Sequence, residues 1–444
     1  MVARSVLLLL LLLPASLAAQ ATDTQVFFDL LRGPAQAQVA ERTILDGWHD
    51  SHASILLELH RFALRSARPR LVALLERATG QSFAEDIDAW WRWIWATNPG
   101  THPQYSIFKA LLYGLTDPSF SDYFDDDPVL KVRLDEVRWG GVPRDGIPPL
   151  DLPAFTSVRR AGYLDDQDIV FGIAINGEER AYPKRIMAWH EMFKDTIGGE
   201  HFTGVYCTLC GSMILYRSAI DGHHYELGTS GFLYRSNKLM YDHATQSLWS
   251  TLSGEPGGGP LAQRDLVLEP LYVVTTRWGE WRRRHPRTRV LSIDTGHERD
   301  YSEGAAYRDY FSSDRLMFAV PELDTRLKNK NQVVALRLPE LPAEQLAIAV
   351  DFLADQTVYH DSLGAVALVV LTDESGASRV YETRGRMFSR WDSQDGVWDE
   401  SGARWTLSEP ALTGPDQTSL RRLPSHRAFW FGWYAQYPET RLVY

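Results

Sequence analysis

The two cysteines of this chain are the residues whose type and spacing point most directly to chemistry. Cys207 and Cys210 lie two residues apart in the stretch VYCTLCGSMILYRS (205–218), and the 444-residue chain contains no other cysteine. A Cys-x-x-Cys pair occurs in metal knuckles and in redox-active dithiols, and it can also close as a short disulfide. The role of the pair therefore depends on the elements that carry it and on the groups around it.

Three roles without a metal stay open. A disulfide between Cys207 and Cys210 is expected of an exported chain, although a bridge over so short a loop stabilises little. A redox pair usually lies at a helix N-terminus, which lowers the thiol pKa, whereas the strand-like runs FTGVY and SMILYRS flank this pair. A cysteine nucleophile with His190 as its base and Glu191 orienting that base is the remaining alternative.

A metal site is the interpretation that the pattern favours. Cys-x-x-Cys-Gly between two strands is typical of a metal knuckle, in which the turn directs both sulfurs to one point. Two thiolates leave a tetrahedral site incomplete, so we predict His190 as the third ligand, with Glu191 as the candidate catalytic residue. Zinc or copper is the cofactor expected for Cys207, Cys210 and one histidine.

An internal repeat separates these candidates from the scaffold. RWGEWRRRHPRTRVLS, from Arg277, aligns with FWFGWYAQYPETRLVY at the end of the chain, and further segments align upstream of both. Residues 168–293 and 333–444 are therefore predicted to be two copies of one unit. Only the first copy has Trp189-His190-Glu191 and the two cysteines, so the unit can be built without them.

The predicted fold class is α+β: an all-helical front precedes a duplicated, mainly antiparallel unit with approximate two-fold internal symmetry. In the front, apolar residues recur at helical spacing and DAWWRWIWATNP predicts a buried helix. In the back, PKRIMAWHEMFKD predicts a helix from Pro183, and IDGHHYE predicts a hairpin. The predicted boundaries are a signal peptide 1–21, a helical domain 22–127, a linker or ordered loop 128–167, the first copy, a connector 294–332 and the second copy.

Composition and the first residues indicate where the protein acts. A basic start followed by the apolar run Val6 to Leu13 predicts a cleavable signal peptide, hence a secreted or periplasmic protein. The formal net charge of −11 argues against a nucleic-acid partner. No later stretch is long enough to predict a membrane span. In the alternative to a metal site, the protein is non-catalytic and its helical front recruits a protein partner.

Several ordered motifs resemble a family catalogued as domain of unknown function 3179, an exported bacterial and archaeal family. The resemblance covers about 140–444 and rests on DGIPPLD, RAYPKRIMAWHEMFKDTIGG, YCTLCGS, LGTSGFLYRSNKLMYDHATQSLWS and WRRRHPRTRVLS. The front helices resemble the HEAT-like extension that some members carry. Two positions depart from the family pattern, since Thr208 stands where proline is frequent and His243 where arginine is frequent. The resemblance implies no established activity.

Overall fold

The structure, a computed structural model, describes residues 22–124 and 129–444. The signal peptide predicted for residues 1–21 lies outside these ranges. Helices dominate the first described range and strands the second, so the α+β class predicted from the sequence is confirmed at that level. Within the described ranges, no helix has the length and apolar character needed to cross a membrane.

In residues 22–124 the front of the chain contains six α-helices: α1 (Thr24–Asp29), α2 (Pro34–Asp46), α3 (His52–Phe62), α4 (Arg68–Thr79), α5 (Ile87–Thr97) and α6 (Tyr105–Gly114). The tryptophan-rich helix is α5, and Trp90, Trp91 and Trp95 are buried in it, as its aromatic faces predict. Burying these large rings supplies much of the apolar area that stabilises the front.

The next part of the chain, up to residue 311, alternates short strands with three short helices. In chain order these are β1 (Val137–Trp139), β2 (Leu150–Asp151), β3 (Phe155–Ser157), β4 (Ile169–Ile175), β5 (Glu178–Pro183), α7 (Lys184–His190), β6 (Met192–Ile197), β7 (Glu200–Cys207), β8 (Ser212–Arg217), β9 (Ala219–Ile220), β10 (His223–His224), β11 (Leu227–Tyr234), β12 (Asn237–Asp242), β13 (Leu248–Ser250), β14 (Pro256–Gly258), β15 (Pro270–Leu271), β16 (Val274–Arg277), α8 (Trp278–Arg284), β17 (Arg289–Leu291) and α9 (Arg308–Phe311).

The last part of the chain, from residue 332, also alternates short strands with short helices. In chain order these are β18 (Gln332–Leu338), β19 (Leu341–Ala349), α10 (Val350–Ala354), β20 (Val358–Leu363), β21 (Val366–Thr372), β22 (Ser378–Glu382), β23 (Phe388–Trp391), β24 (Gly396–Asp399), β25 (Arg404–Leu407), β26 (Ala411–Thr413), β27 (Ser419–Arg421), β28 (His426–Phe429), α11 (Trp430–Gln436) and β29 (Arg441–Val443).

Strand order agrees between the two predicted copies. One sheet of the first copy contains the order β16-β4-β5-β17, and one sheet of the second has β28-β18-β19-β29. In both sheets the first two pairings are antiparallel and the last is parallel. A buried indole N–H donates to a threonine hydroxyl at equivalent positions, Trp281 to Thr288 at 3.0 Å and Trp433 to Thr440 at 2.9 Å. The two predicted copies thus share the strand order of one sheet and a buried hydrogen bond.

Two local features differ from the sequence-based expectations. The helix predicted from Pro183 ends at His190, and Met192 and Phe193 belong to β6, so the helical prediction for its second half was wrong. Glu191 ends the helix because it takes a left-handed backbone conformation with φ 56°, which a helix does not continue through. The stretch 128–167 contributes β1, β2 and β3, each paired to a strand of the first copy.

The helical front and the first copy share one hydrophobic core. Phe232 of β11 packs edge-on against Tyr113 of α6, with ring centroids 5.0 Å apart. Beside this contact, the buried ammonium of Lys109 lies 2.5 Å from Glu58 and donates to the carbonyl of Val137 in β1 at 2.8 Å. This paired charge fixes β1 against the helices, and β1 leads directly into the wall of the site described next.

Candidate functional site

The two cysteines lie where two adjacent antiparallel strands are joined. Cys207 is the last residue of β7, Ser212 is the first of β8, and these two residues face each other in the ladder. Gly211 closes the connection with φ 60°, a conformation that glycine adopts without strain. Both cysteines are buried free thiols, and no disulfide joins them. The placement between two strands agrees with the sequence-based prediction.

A second hairpin covers the cysteine turn from one side. The turn between β11 and β12 contains Arg235 and Ser236, both with positive φ (47° and 66°). The sulfur of Cys210 lies 3.3 Å from the carbonyl oxygen of Ser236. The backbone N–H of Lys238, in β12, donates to the sulfur of Cys207. Each sulfur therefore contacts the backbone of this hairpin.

The second copy covers the cysteine turn from another side. The N–H of Phe429 donates to the carbonyl of Cys210 at 2.7 Å. Gly432 of α11 lies so close that a Cβ added there would be 2.9 Å from the Cβ and 3.0 Å from the sulfur of Cys210. A larger residue at position 432 would thus displace the cysteine. Residues of the predicted second copy, which has no cysteines, thus cover the cysteine turn.

The two thiols have opposite acidities. Burial raises the pKa of Cys207, but hydrogen bonds from the Cys210 side chain and from the N–H groups of Lys238 and Cys210 outweigh it, and the net pKa is lowered. Burial raises the pKa of Cys210 well above its usual value, and its hydrogen bond to Cys207 raises it further. A thiolate is thus favoured at Cys207, with Cys210 as its protonated donor.

Glu191 is part of a buried polar network beside Cys207. Its carboxylate lies 2.5 Å from the ammonium of Lys238, and both side chains are less than 10 % exposed. The hydroxyl of Thr208, between the cysteines, donates to Glu191 at 2.7 Å, and the hydroxyl of Tyr307 donates at 3.1 Å. Glu191 therefore fixes the turn that carries both sulfurs. The left-handed backbone conformation of Glu191 costs about 1 kcal/mol, and the protein retains this buried, charged residue despite that cost.

A small cavity of about 70 Å³ opens onto Cys207. The polar side chains named above, Glu191, Lys238, Thr208 and Tyr307, line it together with Thr229. The rest of the wall is largely apolar and comes from several elements: Gly140, Val142, Ile147, Leu209, Gly231, Phe232, Leu233, Met317 and Phe318. Cys207 thus faces a small, partly open and mostly apolar cavity.

His190, which the sequence predicts as a metal ligand, instead forms hydrogen bonds to other parts of the protein. Its Nδ1 contacts the carbonyl of Pro148 at 2.9 Å, and its Nε2 contacts the hydroxyl of Tyr301 at 2.6 Å. Because a carbonyl only accepts, Nδ1 carries the proton, and Nε2 accepts from Tyr301. Burial lowers the pKa of His190, which favours this neutral form. Both ring nitrogens therefore have protein partners.

The structure brings Glu191, Cys207 and Cys210 together and leaves His190 outside this cavity. Across 22–124 and 129–444, no group of three or more histidine, cysteine, aspartate or glutamate side chains is arranged to hold a metal ion. Sequence reasoning missed Lys238, although comparison of the copies contained the signal. With Asp242 aligned to Asp399, Lys238 falls opposite Asp395, so the lysine is confined to the first copy in the same way as the cysteines.

Comparison with known proteins identifies the part of the chain that matches a protein family. The family model described as protein of unknown function (DUF3179) matches residues 144–440, which include the first predicted copy, all but the last four residues of the second, and every side chain of the polar network. No curated protein and no solved structure matches the chain. The helices α1–α6 and strand β1 lie before the matched region.

Proposed function

The chain belongs to the DUF3179 family of proteins of unknown function, and from that premise we propose that it is a thiol–disulfide oxidoreductase acting on a small molecule. Cys207 attacks the substrate, and Cys210 resolves the mixed disulfide. The placement of the two sulfurs supports this assignment, because Cys207 lines the cavity whereas Gly432 covers Cys210. The lowered pKa of Cys207 beside the raised pKa of Cys210 agrees with these roles in thiol–disulfide exchange. The proposal includes the secreted or periplasmic location that the N-terminal sequence predicts.

The reaction proceeds in two balanced exchanges. The Cys207 thiolate forms a bond to one sulfur of a small disulfide, the substrate S–S bond breaks, and one half leaves as a thiolate that takes a proton from solvent. Cys210 then loses its proton to the second leaving thiolate and bonds to Cys207, which releases that half. Two electrons pass from the protein dithiol to the substrate, and the reverse sequence oxidises two thiols.

Glu191 acts in this proposal as a positioning residue. Its ion pair with Lys238 and its hydrogen bond from Thr208 hold the turn, so that the Cys207 sulfur keeps its donors. The sequence predicts a catalytic role for Glu191, and its contacts support a positioning role within that prediction.

The test uses the fact that the chain has only two cysteines. Reduced protein is mixed with bis(2-hydroxyethyl) disulfide, and the products are followed by intact mass. Wild type should form an internal disulfide, Cys210→Ser should accumulate a mixed disulfide on Cys207, and Cys207→Ser should react far more slowly. If the two serine variants react equally, or if Cys210→Ser traps nothing, the proposal fails.

Soft-metal binding is a second proposal, supported by the backbone of the cysteine turn. The N–H of Cys210 donates to the sulfur of Cys207, and Gly211 has a positive φ, as in a metal knuckle. Copper(I) suits two thiolates, and zinc would require further ligands. Elemental analysis of wild type, Cys207→Ser and His190→Ala tests this proposal. Loss of bound metal in His190→Ala would support the three-ligand site predicted from the sequence, and absence of metal from wild type would refute both versions.

Two further features of the fold, its internal symmetry and the type of helical front, are also proposals. Approximate two-fold symmetry between residues 168–293 and 333–444 is supported by their matching strand order, and an experimental structure in which the two units do not superpose would refute it. A HEAT-like helical front that recruits a protein partner is supported only by the helices between residues 24 and 114. Affinity capture with and without that front tests whether it binds a partner.

A further inference from the structure

Two histidines from different strands line a second cavity, away from the cysteines. His201 lies near the start of β7 and His224 lies in β10, and both side chains line a cavity of about 250 Å³. Both histidines are exposed. Cys207 is at the other end of β7, about 20 Å further along an extended strand. The two imidazoles are therefore separate from the thiol site and open to solvent.

The spacing of the two rings suits one metal ion between them. Their centroids are 5.4 Å apart, with an angle of 69° between the ring planes. Metal–nitrogen bonds are about 2.0 to 2.1 Å long, so two imidazoles that share a tetrahedral metal ion have ring centroids about 5 Å apart. The observed separation requires only a small adjustment of exposed side chains to reach that arrangement.

The ring nitrogens are in a state that a metal ion can use. Nδ1 of His201 is hydrogen-bonded to the hydroxyl of Thr196 at 3.0 Å, which orients the ring and leaves Nε2 for a metal ion. Partial burial and the neighbouring His201 lower the pKa of His224. Because a metal ion binds the neutral imidazole, both effects favour binding.

The charges around this second cavity favour a cation. The ammonium of Lys194 lies 3.1 Å from Asp151 and 3.3 Å from Glu226, and both carboxylates are 58 % exposed. One ammonium cannot neutralise two carboxylates, so one negative charge is left over. Asp195, the other acidic residue of the lining, is paired with Arg180 at 2.9 Å. The surplus carboxylate attracts a divalent cation to the two imidazoles.

Both histidines are confined to the first predicted copy. His201 falls opposite Ala367 when DTIGGEH is aligned with DSLGAVA, and His224 falls opposite Val380 when HYE is aligned with VYE. The apolar counterparts lie in strands of the second copy, Ala367 in β21 and Val380 in β22. The unit can therefore be built without either imidazole, as it can without the cysteines.

We infer that His201 and His224 together bind a divalent transition-metal ion, and that zinc is the ion whose tetrahedral geometry the ring spacing matches. The two imidazoles supply two ligands and water supplies the others, since no third histidine, cysteine or carboxylate in 22–124 and 129–444 completes the group. Such a site is open and exchangeable, unlike a structural zinc site with four protein ligands. The inference does not depend on the thiol–disulfide chemistry.

The test is titration of the full chain with zinc chloride, followed by calorimetry. The parent protein is Cys207→Ser, so that zinc bound between the two sulfurs does not contribute. His201→Ala and His224→Ala in this parent should each weaken zinc binding by roughly tenfold or more, since even the loss of a group that supports a metal ligand costs about 10- to 100-fold in affinity. The melting temperature without zinc should stay unchanged, because both side chains are exposed.

His223→Ala is the matched control. His223 is the exposed neighbour of His224 in β10, and its ring contacts Tyr225, with centroids 4.6 Å apart. Since adjacent residues of a strand point to opposite sides, its loss should leave zinc affinity at the parent value. Equal affinities in the parent, His201→Ala and His224→Ala, an equal loss in His223→Ala, or no zinc binding by the parent would each overturn the inference. None of these results affects the proposed exchange at Cys207, which is measured separately by intact mass.

Discussion

Replacing Glu191 by glutamine is the change that most directly tests the buried network. The carboxylate of Glu191 lies 2.5 Å from the ammonium of Lys238, and the two side chains are only 5 % and 8 % exposed. Glutamine keeps the size of the side chain and a carbonyl that accepts from Thr208, but it leaves Lys238 as a buried charge without a counter-ion. Breaking a buried pair in this way costs about 3 to 5 kcal/mol.

The assay is urea unfolding followed by tryptophan fluorescence, with Glu303→Gln as the control. Glu303 is also paired with an arginine, at 3.3 Å, but its side chain is 52 % exposed, so its loss should cost no more than about 1 kcal/mol. Adding Lys238→Met to Glu191→Gln should recover part of the lost free energy of unfolding, since no unpaired charge remains. Equal costs for Glu191→Gln and Glu303→Gln would refute the reasoning.

Two further changes test other parts of the structure. Burial and two neighbouring histidines lower the pKa of His52 from 6.5 to about 4. Between pH 6.5 and pH 4, His52 is therefore protonated in the unfolded chain and neutral in the folded one. The free energy of unfolding should be highest above pH 6.5 and fall by up to about 3 kcal/mol as the pH drops to 4. In acid unfolding titrations His52→Gln should remove that loss, whereas His223→Gln, a change at an exposed histidine, should leave it in place. Gly432→Ala should cost about 1 to 3 kcal/mol by crowding Cys210, whereas Gly114→Ala, with nothing within 4 Å, should not lower the melting temperature.

Local patterns in the sequence predicted the elements that carry the cysteines. Strand-like runs on both sides of Cys207 and Cys210 are β7 and β8. The Asp-Gly hairpin is also confirmed, since Asp221 and Gly222 both have positive φ between β9 and β10. These features depend on residues that are close in sequence, so their side-chain period and turn residues contain the necessary information.

The same patterns failed where one residue changes the direction of the chain. Ile186, Met192 and Phe193 fit one helical face, but Met192 and Phe193 alternate in β6 instead. The left-handed conformation of Glu191 separates the two elements. Glutamate rarely adopts it, and here its ion pair with Lys238 and hydrogen bonds from the turn stabilise it. Those partners lie far along the chain, so no local pattern could reveal the break.

The sequence by itself determined the α+β class and the strand-borne cysteine pair, and it predicts the repeat and a role for Glu191. Only the tertiary structure decided which groups surround that pair. The Cys210 side chain and the N–H of Lys238 lower the pKa of Cys207, and Gly432 of the predicted second copy covers Cys210. The physical reason is that hydrogen bonds, burial and charge act over a few ångströms in space, whatever the separation of the residues in sequence.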